Sequence, residues 1–560
     1  MKAPFSVFAL TLLLSPPTFA QSDPVTAPLS ARTPEWVVKS NQYSRILLDA
    51  QASSRPEQMP FFGPSEHHLY VTDLKTGHPQ RYRAALDQAR NELNGKLDTE
   101  QDPNVRHDLQ ILLHAANAEI QESEIEEKRL LPWVDVPKLV FEGISNILSD
   151  ETPAGNHDIA LVRLQNYTGL LPGTQPITRL ARDRYEEKRS DPGLLPPTHI
   201  QVANALASTD LHVDGIRSLF KKYRIADSDE ALYAIGMQLH GYATWARQNV
   251  LPTARTNSQI PTDLYAQALH ERGIDIDPRE LIRRAAVEFV GTQTAMQQLA
   301  PLIGQAQGVE VSDYREVIRM QNQNPGLGNA ASPPAATDIA RSTTRAIAEA
   351  DAFITGGRTA DSALADSFRQ DVADTESFNL PESMAEYQAM SERGVSLARS
   401  MFAFNTVNTD GWSLYAESEM LPYKPLDEQM TALQFRLLHA ARAMLDPMLN
   451  MGHITREQAA DILREDVQLP ESLVKQELDR YQRLPGQAPS YLYGYHQLQS
   501  LRVETELTLG DRFDRKAFND FLRERGLLLP DQLAEAVRTT FVPSQRGRPS
   551  NHPKSVMLVD

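Results

Sequence analysis

Residues 102–129, DPNVRHDLQILLHAANAEIQESEIEEKR, decide the fold class of this chain. Alanine, leucine, glutamate, glutamine and arginine dominate the stretch, and its apolar positions return every three or four residues. Strong helix formers with that period predict a helix that buries one face. Residues 79–97 have the same composition and period. The fold class predicted from these segments is mainly α.

The C-terminal half repeats the helical pattern. After Leu426 an apolar stripe recurs at helical spacing, and we interpret it as core; its members are Met430, Leu433, Leu437, Ala440 and Met444. Pro447 is predicted to bend or end that helix. Alternation with period two is scarce, so a minor β hairpin is predicted only from short stretches at 69–71 and around Val407.

One low-complexity stretch interrupts the pattern at 321–337, QNQNPGLGNAASPPAAT. Its Asn, Gly and Pro residues disfavour both helix and strand, which predicts a linker. We therefore expect an N-terminal helical lobe at 21–320, a C-terminal lobe at 338–542 and a frayed tail at 543–560. Together the lobes are expected to form one large two-lobed helical domain with a central cleft.

The N-terminus predicts export. Lys2, the apolar stretch 5–14 and the small residues ending at Ala20 have the three parts of a secretory signal peptide, with cleavage expected near Ala20/Gln21. Because the chain has no cysteine, neither a disulfide nor lipid attachment at a cysteine is expected. The periplasm is the expected location. No later stretch approaches the length of about 18 apolar residues that membrane insertion requires.

Charge and composition narrow the chemistry. The chain has 73 acidic and 56 basic residues, a balance that argues against binding nucleic acid. The absence of cysteine excludes a thiol nucleophile, and no serine occupies a Gly-x-Ser-x-Gly elbow. His270-Glu271 begins like a zinc-binding HExxH helix, but Ile274 stands where the second histidine is needed. Glu66, His67 and His68 are adjacent and point in different directions on regular structure.

Several longer motifs then resemble one family. They are WVVKSNQYSRILLDAQA at 36–52, YREVIR at 314–319, DGWSLYAE at 410–417, LQFRLLHAARAMLDP at 433–447, TREQAADIL at 455–463, RYQRLPGQAPSYLYG at 480–494 and LGDRFDRKAFNDFL at 509–522. In this order they resemble the bacterial domain-of-unknown-function 885 family, over nearly all of the chain except 321–379. The resemblance implies a fold similar to helical zincin-type peptidases, with zinc in active relatives.

The resemblance also places the family's active site on residues that cannot do its chemistry. The HExRPGHELQ signature falls on 377–384, so its two histidines become Ser377 and Ser383 and its glutamate becomes Phe378. Asp410 stands for the glutamate of a Glu-Gly-Trp motif and is one methylene shorter, and Asn519 stands for a late histidine. Serine is a weak zinc ligand and phenylalanine is no base. We therefore expect no cofactor and a pseudoenzyme that binds peptides or a periplasmic protein.

The residues that still match have two interpretations each. Trp412, Tyr415 and Glu417 line a cleft or belong to the core. Arg480, Tyr481 and Gln487 hold a ligand carboxylate or brace the loop at Pro485-Gly486. By analogy with active relatives, Tyr491 or Tyr493 is a residue that polarises a carbonyl.

Two competing functions remain open from the sequence. One is a working hydrolase whose metal is held by Asp410, Glu417 and one of His439, His453 or His496. The other is a damaged copy with no retained role, which poor folding would reveal.

Overall fold

The structure is a computed structural model that describes residues 33–58, 66–150, 152, 154–323, 389–403, 405–525 and 528–546. The predicted signal peptide at 1–20, the linker beyond residue 323 and the three signature positions Ser377, Phe378 and Ser383 lie outside these residues.

Helices account for most of the described chain. Those of the N-terminal half are α1 (Glu35–Ala52), α2 (His78–Thr99), α3 (Pro103–Arg129), α4 (Val136–Ser145), α5 (Ile159–Thr168), α6 (Ile177–Lys188), α7 (His199–Ala207), α8 (Thr209–Lys222), α9 (Asp229–Asn249), α10 (Thr262–His270), α11 (Pro278–Gln307) and α12 (Tyr314–Gln323). Those of the C-terminal half are α13 (Trp412–Met420), α14 (Leu426–Asn450), α15 (Arg456–Asp461), α16 (Glu471–Arg483), α17 (Ser490–Leu509), α18 (Arg515–Arg525), α19 (Pro530–Ala536) and α20 (Val542–Arg546). The mainly α prediction is confirmed.

The helices predicted at 79–97 and 102–129 are present as α2 and α3. Asp102 caps α3, because its carboxylate accepts hydrogen bonds from the backbone N–H groups of Asn104 at 2.8 Å and Val105 at 3.4 Å. Pro103 occupies the first helical position, where its missing N–H costs nothing. In α14, Pro447 lies inside the helix, which ends three residues later at Asn450.

The predicted β hairpin is wrong for the part of the chain described here. Leu69 is the last residue of a 3-10 turn, Glu66–Leu69, and residues 70 and 71 have no regular secondary structure. Side chains take up backbone groups there: Asn166 donates to the carbonyl of Leu69, and Glu57 accepts from the N–H of Thr72. Val407–Gly411 is a π-helical turn. The two β bridges in the described residues are isolated pairs, Leu130 with Leu195 and Thr198 with Arg255.

Three hydrophobic cores hold the fold together. The largest joins α10–α12 to residues 403–542, with α11 packed along α14. A second core lies within α4–α9 and the segment before them. The third is formed by α1, α2 and α3 and also contains Ala398. Residues on both sides of the undescribed stretch 324–388 therefore share one core.

Buried polar contacts fix the segment that follows residue 388. Asp108 on α3 accepts hydrogen bonds from the hydroxyls of Ser40 and Ser396 and from Nε of Arg399. The side-chain amide oxygen of Asn41 on α1 accepts the N–H of Leu397 at 2.7 Å. These contacts anchor 396–399 against α1 and α3 at the start of the π-helical segment Ala398–Phe402.

No described helix combines the length and the apolar character that crossing a membrane requires. The chain stays helical to Arg546, within the stretch 543–560 that was predicted to be a frayed tail.

Candidate functional site

A polar stripe runs along α14 on a face next to its apolar stripe. Its members are Arg436, His439, Arg442 and Asp446, spaced three, three and four residues apart. That spacing places all four on one side of the helix. They face polar and charged groups from α11, from the π-helical turn Val407–Gly411, from α16 and from α17. We call the stripe and its partners Glu288, Asp410, Glu477 and Tyr491 the polar seam.

Asp410 lies in the seam because the backbone at Gly411 packs directly against the backbone of α17 at Gly494. A β-carbon on Gly411 would lie 2.4 Å from the Cα of Gly494, so the π-helical turn rests directly on α17. This contact brings the Asp410 carboxylate against Ser490 Oγ and Tyr491 OH, which both hydrogen-bond to it. Burial raises the pKa of Asp410, and the Ser490 hydrogen bond and nearby guanidinium groups offset part of that rise. Burial and the Asp410 charge together raise the pKa of Tyr491 to about 12.

The centre of the seam is a buried ion pair beside a histidine. Arg442 donates to both carboxylate oxygens of Glu477, at 2.8 and 2.6 Å. Its Nη1 also lies 3.5 Å from Nδ1 of His439, whose ring stacks on Tyr491 at 4.5 Å. Burial and the two guanidinium groups of Arg442 and Arg480 lower the pKa of His439 well below its usual value, so the ring is neutral.

Asp446 fixes the loop between α16 and α17. Its carboxylate is fully buried and accepts hydrogen bonds from the N–H of Gly486 at 3.0 Å and from Asn450 Nδ2 at 2.6 Å. Burial raises the pKa of Asp446 to about 7. At the rim of the same loop, Arg480 donates from Nε to Gln487 at 3.1 Å. Of the two interpretations of Arg480 and Gln487, the contacts seen here are those of a loop brace.

The other end of the seam is also closed by ion pairs. Glu288 on α11 accepts Nε of Arg436, and its second oxygen lies 3.3 Å from Nε2 of His496. Burial alone would raise the pKa of Glu288, but the hydrogen bonds from His496 and Arg436 lower it to about 2. Glu417, partly buried on α13, forms no hydrogen bond or ion pair in the described chain, and burial raises its pKa.

Arg272 is a guanidinium of this region for which the described residues supply no anionic partner. It lies in the turn after α10 and contributes, with Arg480 and Arg442, to the positive field at Asp410. Its Nε is buried and has no hydrogen-bond partner among the residues that the structure describes. Three guanidinium groups therefore act on Asp410, and one of them has no ion-pair partner in the part of the chain that the structure describes.

The other residues selected from the sequence lie in the core or outside the polar seam. Trp412 and Tyr415 are buried in the largest core, and Tyr415 OH donates to the amide oxygen of Asn519 at 3.1 Å. Tyr481 is buried below the Arg442–Glu477 pair. Tyr493 lies outside the seam, where its hydroxyl contacts the backbone of Asp275. Glu66, His67 and His68 form the 3-10 turn noted above.

The residues of the seam do not fit a zinc site. A catalytic zinc is usually held by three protein ligands, and each histidine ligand offers the metal a ring-nitrogen lone pair that no other group occupies. His439 presents Nδ1 to a guanidinium, His496 is bonded to Glu288, and His453 is exposed beyond the end of α14. Throughout the described ranges, no three His, Asp or Glu side chains are placed to hold a metal ion. The metal site suggested from Asp410, Glu417 and a late histidine is not assembled.

Sequence reasoning missed several members of the seam. Arg436, Arg442 and Asp446 repeat at helical spacing, and that pattern could have shown a polar face on α14. Glu288, Glu477 and Arg272 reach the seam from distant parts of the chain, and nothing in the local pattern indicates that they meet there.

Comparisons with solved structures support the fold. One similar structure is "the putative lipoprotein from Colwellia psychrerythraea", with a TM-score of 0.59 and 16% identity over 90% of this chain and 99% of that one. Another is "a putative lipoprotein of unknown function from Shewanella oneidensis", with a TM-score of 0.62 and 15% identity over 89% and 99% of the two chains. At these identities the similarity concerns the fold alone. No curated protein matches the sequence.

A family match covers most of the chain. The profile described as "Bacterial protein of unknown function (DUF885)" matches residues 56–392 and 384–537. The match confirms the family that the ordered motifs indicated. The chain therefore belongs to the bacterial DUF885 family of proteins of unknown function.

Proposed function

We propose that this protein is an exported, non-hydrolytic peptide-binding protein, a pseudoenzyme in which the polar seam receives the carboxylate of a peptide. The single observation that carries the proposal is the surplus of guanidinium groups around Asp410. Arg442 is neutralised by Glu477, whereas Arg272 has no partner in the described residues. A planar guanidinium forms bidentate pairs with carboxylates, so an unpaired one beside a polar site suits a carboxylate ligand.

The charges around Asp410 favour binding over metal-dependent hydrolysis. The positive charges of Arg442 and Arg480 repel a metal cation that would bind near His439. The positions that match the family's zinc signature contain Ser377, Phe378 and Ser383, which supply no imidazole and no general base. A peptide that entered the site would meet donors for its carboxylate and no activated water.

The proposed location is outside the cytoplasm. The N-terminal segment resembles a signal peptide in its charge, apolar run and small residues. The two similar structures are described as lipoproteins, a class that is exported, although this chain has no cysteine to carry a lipid. Fractionation of the producing cell with a tagged full-length chain tests this location.

The absence of zinc chemistry can be measured directly. We expect the purified chain, residues 21–560, to retain far less than about one zinc per chain after dialysis against trace zinc, since its donor set is incomplete. Elemental mass spectrometry gives the metal content, and peptidase assays with and without a chelator give the activity. A folded sample that holds stoichiometric zinc and cleaves peptides in a chelator-sensitive way would make this protein a working hydrolase.

The carboxylate site can be tested through Arg272. Calorimetric titration should show that tetra-alanine binds about tenfold or more tightly than its C-terminal amide, because a charge-assisted pair contributes about 1.5–3 kcal/mol. In Arg272→Met we expect both peptides to bind equally weakly. Arg247→Met, at an exposed site near the end of α9, is the matched control and should behave as wild type. Equal binding of acid and amide to the wild-type chain would rule out the proposed carboxylate site.

A further inference from the structure

Asp446 is the fully buried carboxylate of the polar seam, and three elements of the fold meet at it. Its two oxygens accept the N–H of Gly486 at 3.0 Å and Nδ2 of Asn450 at 2.6 Å. From α10, the side chain of the fully buried Tyr265 faces the same carboxylate. The loop also rests on α10, since a β-carbon on Gly486 would lie 2.9 Å from the carbonyl oxygen of Ala268. Asp446 therefore joins α10, α14 and the loop between α16 and α17.

Arg272 connects this junction to the carboxylate site proposed above. It follows α10, and its positive charge acts both on Tyr265, beside Asp446, and on Asp410. Arg480, at the rim of the loop, acts on Asp410 as well. Because charges interact strongly where water is excluded, the charge of Asp446 influences the place where the ligand carboxylate would pair with Arg272.

The charges around Asp410 and Asp446 balance when every group is ionised. In the part of the chain that the structure describes, the guanidinium groups that act there are those of Arg272, Arg442 and Arg480, and the carboxylates are those of Asp410, Asp446 and Glu477. Arg442 and Glu477 neutralise each other through two hydrogen bonds, which leaves two guanidinium groups and two carboxylates. A ligand carboxylate would add a negative charge with no counterpart, and such a charge is costly in a buried site. Protonation of one carboxylate restores the balance.

Asp446 is the carboxylate best suited to take that proton. Burial raises its pKa to about 7, so its proton is exchanged near neutral pH. Burial also raises the pKa of Asp410, but the hydroxyl of Ser490 and the nearby guanidinium groups favour its charged form. At Glu477 the charge of Arg442 outweighs burial and lowers the pKa. The balance is therefore most easily restored at Asp446.

The other titratable groups near Asp446 keep their protonation state around neutral pH. Tyr265 on α10 and Tyr481 on α16 both face it, and burial raises the pKa of each well above its usual value, so both hydroxyls stay protonated. His439 lies about two turns earlier on α14 and is kept neutral by burial and by two guanidinium groups. Glu288, the carboxylate that α11 contributes, is ion-paired at the far end of the seam.

We propose that the polar seam takes up the carboxylate of its ligand together with one proton, which is held on Asp446. The proposal rests on the proposed function, because it describes how the same site compensates the charge of its ligand. The proton comes from the solvent and forms the O–H bond of the carboxyl group, so binding leaves the net charge of the seam unchanged. The site therefore binds carboxylates on the acidic side of neutrality and releases them as the pH rises.

Calorimetric titration of the full chain measures the proton directly. The heat of binding is compared in phosphate and in Tris, whose ionisation enthalpies differ, and the difference gives the protons taken up per peptide. N-acetyl-tetra-alanine is the ligand, because it has no amino group that titrates near pH 8. We expect uptake of about half a proton at pH 7 and about one at pH 8.5, with an affinity about tenfold or more weaker at pH 8.5 than at pH 6.5. Its C-terminal amide should take up none.

Asp446→Asn tests the identity of the group that takes the proton. Asparagine has nearly the shape of a protonated aspartate and keeps an oxygen for the N–H of Gly486, but it cannot titrate. In this variant we expect no proton uptake and an acid affinity that is the same at pH 6.5 and pH 8.5. Asp98→Asn makes the same change at an exposed site on α2 and is the matched control, which should behave as wild type does.

The outcomes separate this proposal from the proposed function. Preference for the acid over the amide without proton uptake would leave the carboxylate site standing and overturn the coupling. Uptake that persists in Asp446→Asn would overturn the assignment to Asp446. If the wild-type chain binds acid and amide equally, the carboxylate site is wrong and the coupling falls with it. The wild-type comparison decides the coupling even if Asp446→Asn does not fold.

Discussion

Gly494→Ala is expected to destabilise the protein by about 3 kcal/mol or more, beyond the usual range of overpacking, because backbone cannot move aside as a side chain can. A β-carbon built on Gly494 would lie 2.4 Å from the carbonyl oxygen of Thr406 and 2.6 Å from the Cα of Gly411. The added methyl must therefore push the π-helical turn away from α17. Chemical denaturation followed by circular dichroism measures the loss.

The matched control is another glycine in a long helix. Gly291 lies within α11, and a β-carbon there would meet no atom within 4 Å. Alanine is the better helix former, so Gly291→Ala should stabilise the protein by about 0.5–1 kcal/mol. A Gly494→Ala variant as stable as wild type would show that the two backbones are not in contact. The opposite signs of the two substitutions are the distinguishing result.

The same substitution should also disturb the polar seam. Asp410 directly precedes Gly411, and its partners Ser490 and Tyr491 lie on the turn of α17 that precedes Gly494. Separating the two backbones moves the carboxylate from both hydroxyls. We expect the tetra-alanine affinity of any folded Gly494→Ala fraction to fall together with its stability.

The fold class could be predicted because helical periodicity is local. The spacing of apolar residues showed α2, α3 and the buried stripe of α14 without any tertiary information. The failed strand predictions have a different cause. The stretches at 69–71 and at Val407 contain β-branched or aromatic residues, but side chains take up backbone groups in or beside them: Asn166 at Leu69, Glu57 at Thr72 and the nearby Asn405 at Val407. Glu57 and Asn166 hold the first of these stretches, and neither contact can be derived from the stretch itself.

The site was only half predictable for a related reason. Asp410, Arg480, Gln487 and Tyr491 stood out because they lie in recognisable motifs, and the structure brings them together. The groups that set their electrostatics come from other helices, as Glu477 does for Arg442. Charge pairing of that kind depends on helix packing, which periodicity does not specify.

Asp108→Ala is expected to cost about 3–5 kcal/mol of folding free energy, the range measured when one partner of a buried ion pair is removed. Asp108 is fully buried, and Nε of Arg399 donates to its carboxylate at 2.7 Å. The guanidinium of Arg399 also lies 4.7 Å from the ring centre of Trp36 on α1. Without Asp108 this cation stays buried with no carboxylate, and the hydroxyls of Ser40 and Ser396 lose their acceptor.

The test of this account is rescue by removing the second charge. Arg399→Met keeps an unbranched apolar side chain beside Trp36, so Asp108→Ala/Arg399→Met should be more stable than the sum of the single losses by about 1–3 kcal/mol. Asp108→Asn, which keeps an acceptor but not the charge, should fall between wild type and Asp108→Ala. Additive losses in the double variant would mean that the two charges do not stabilise each other.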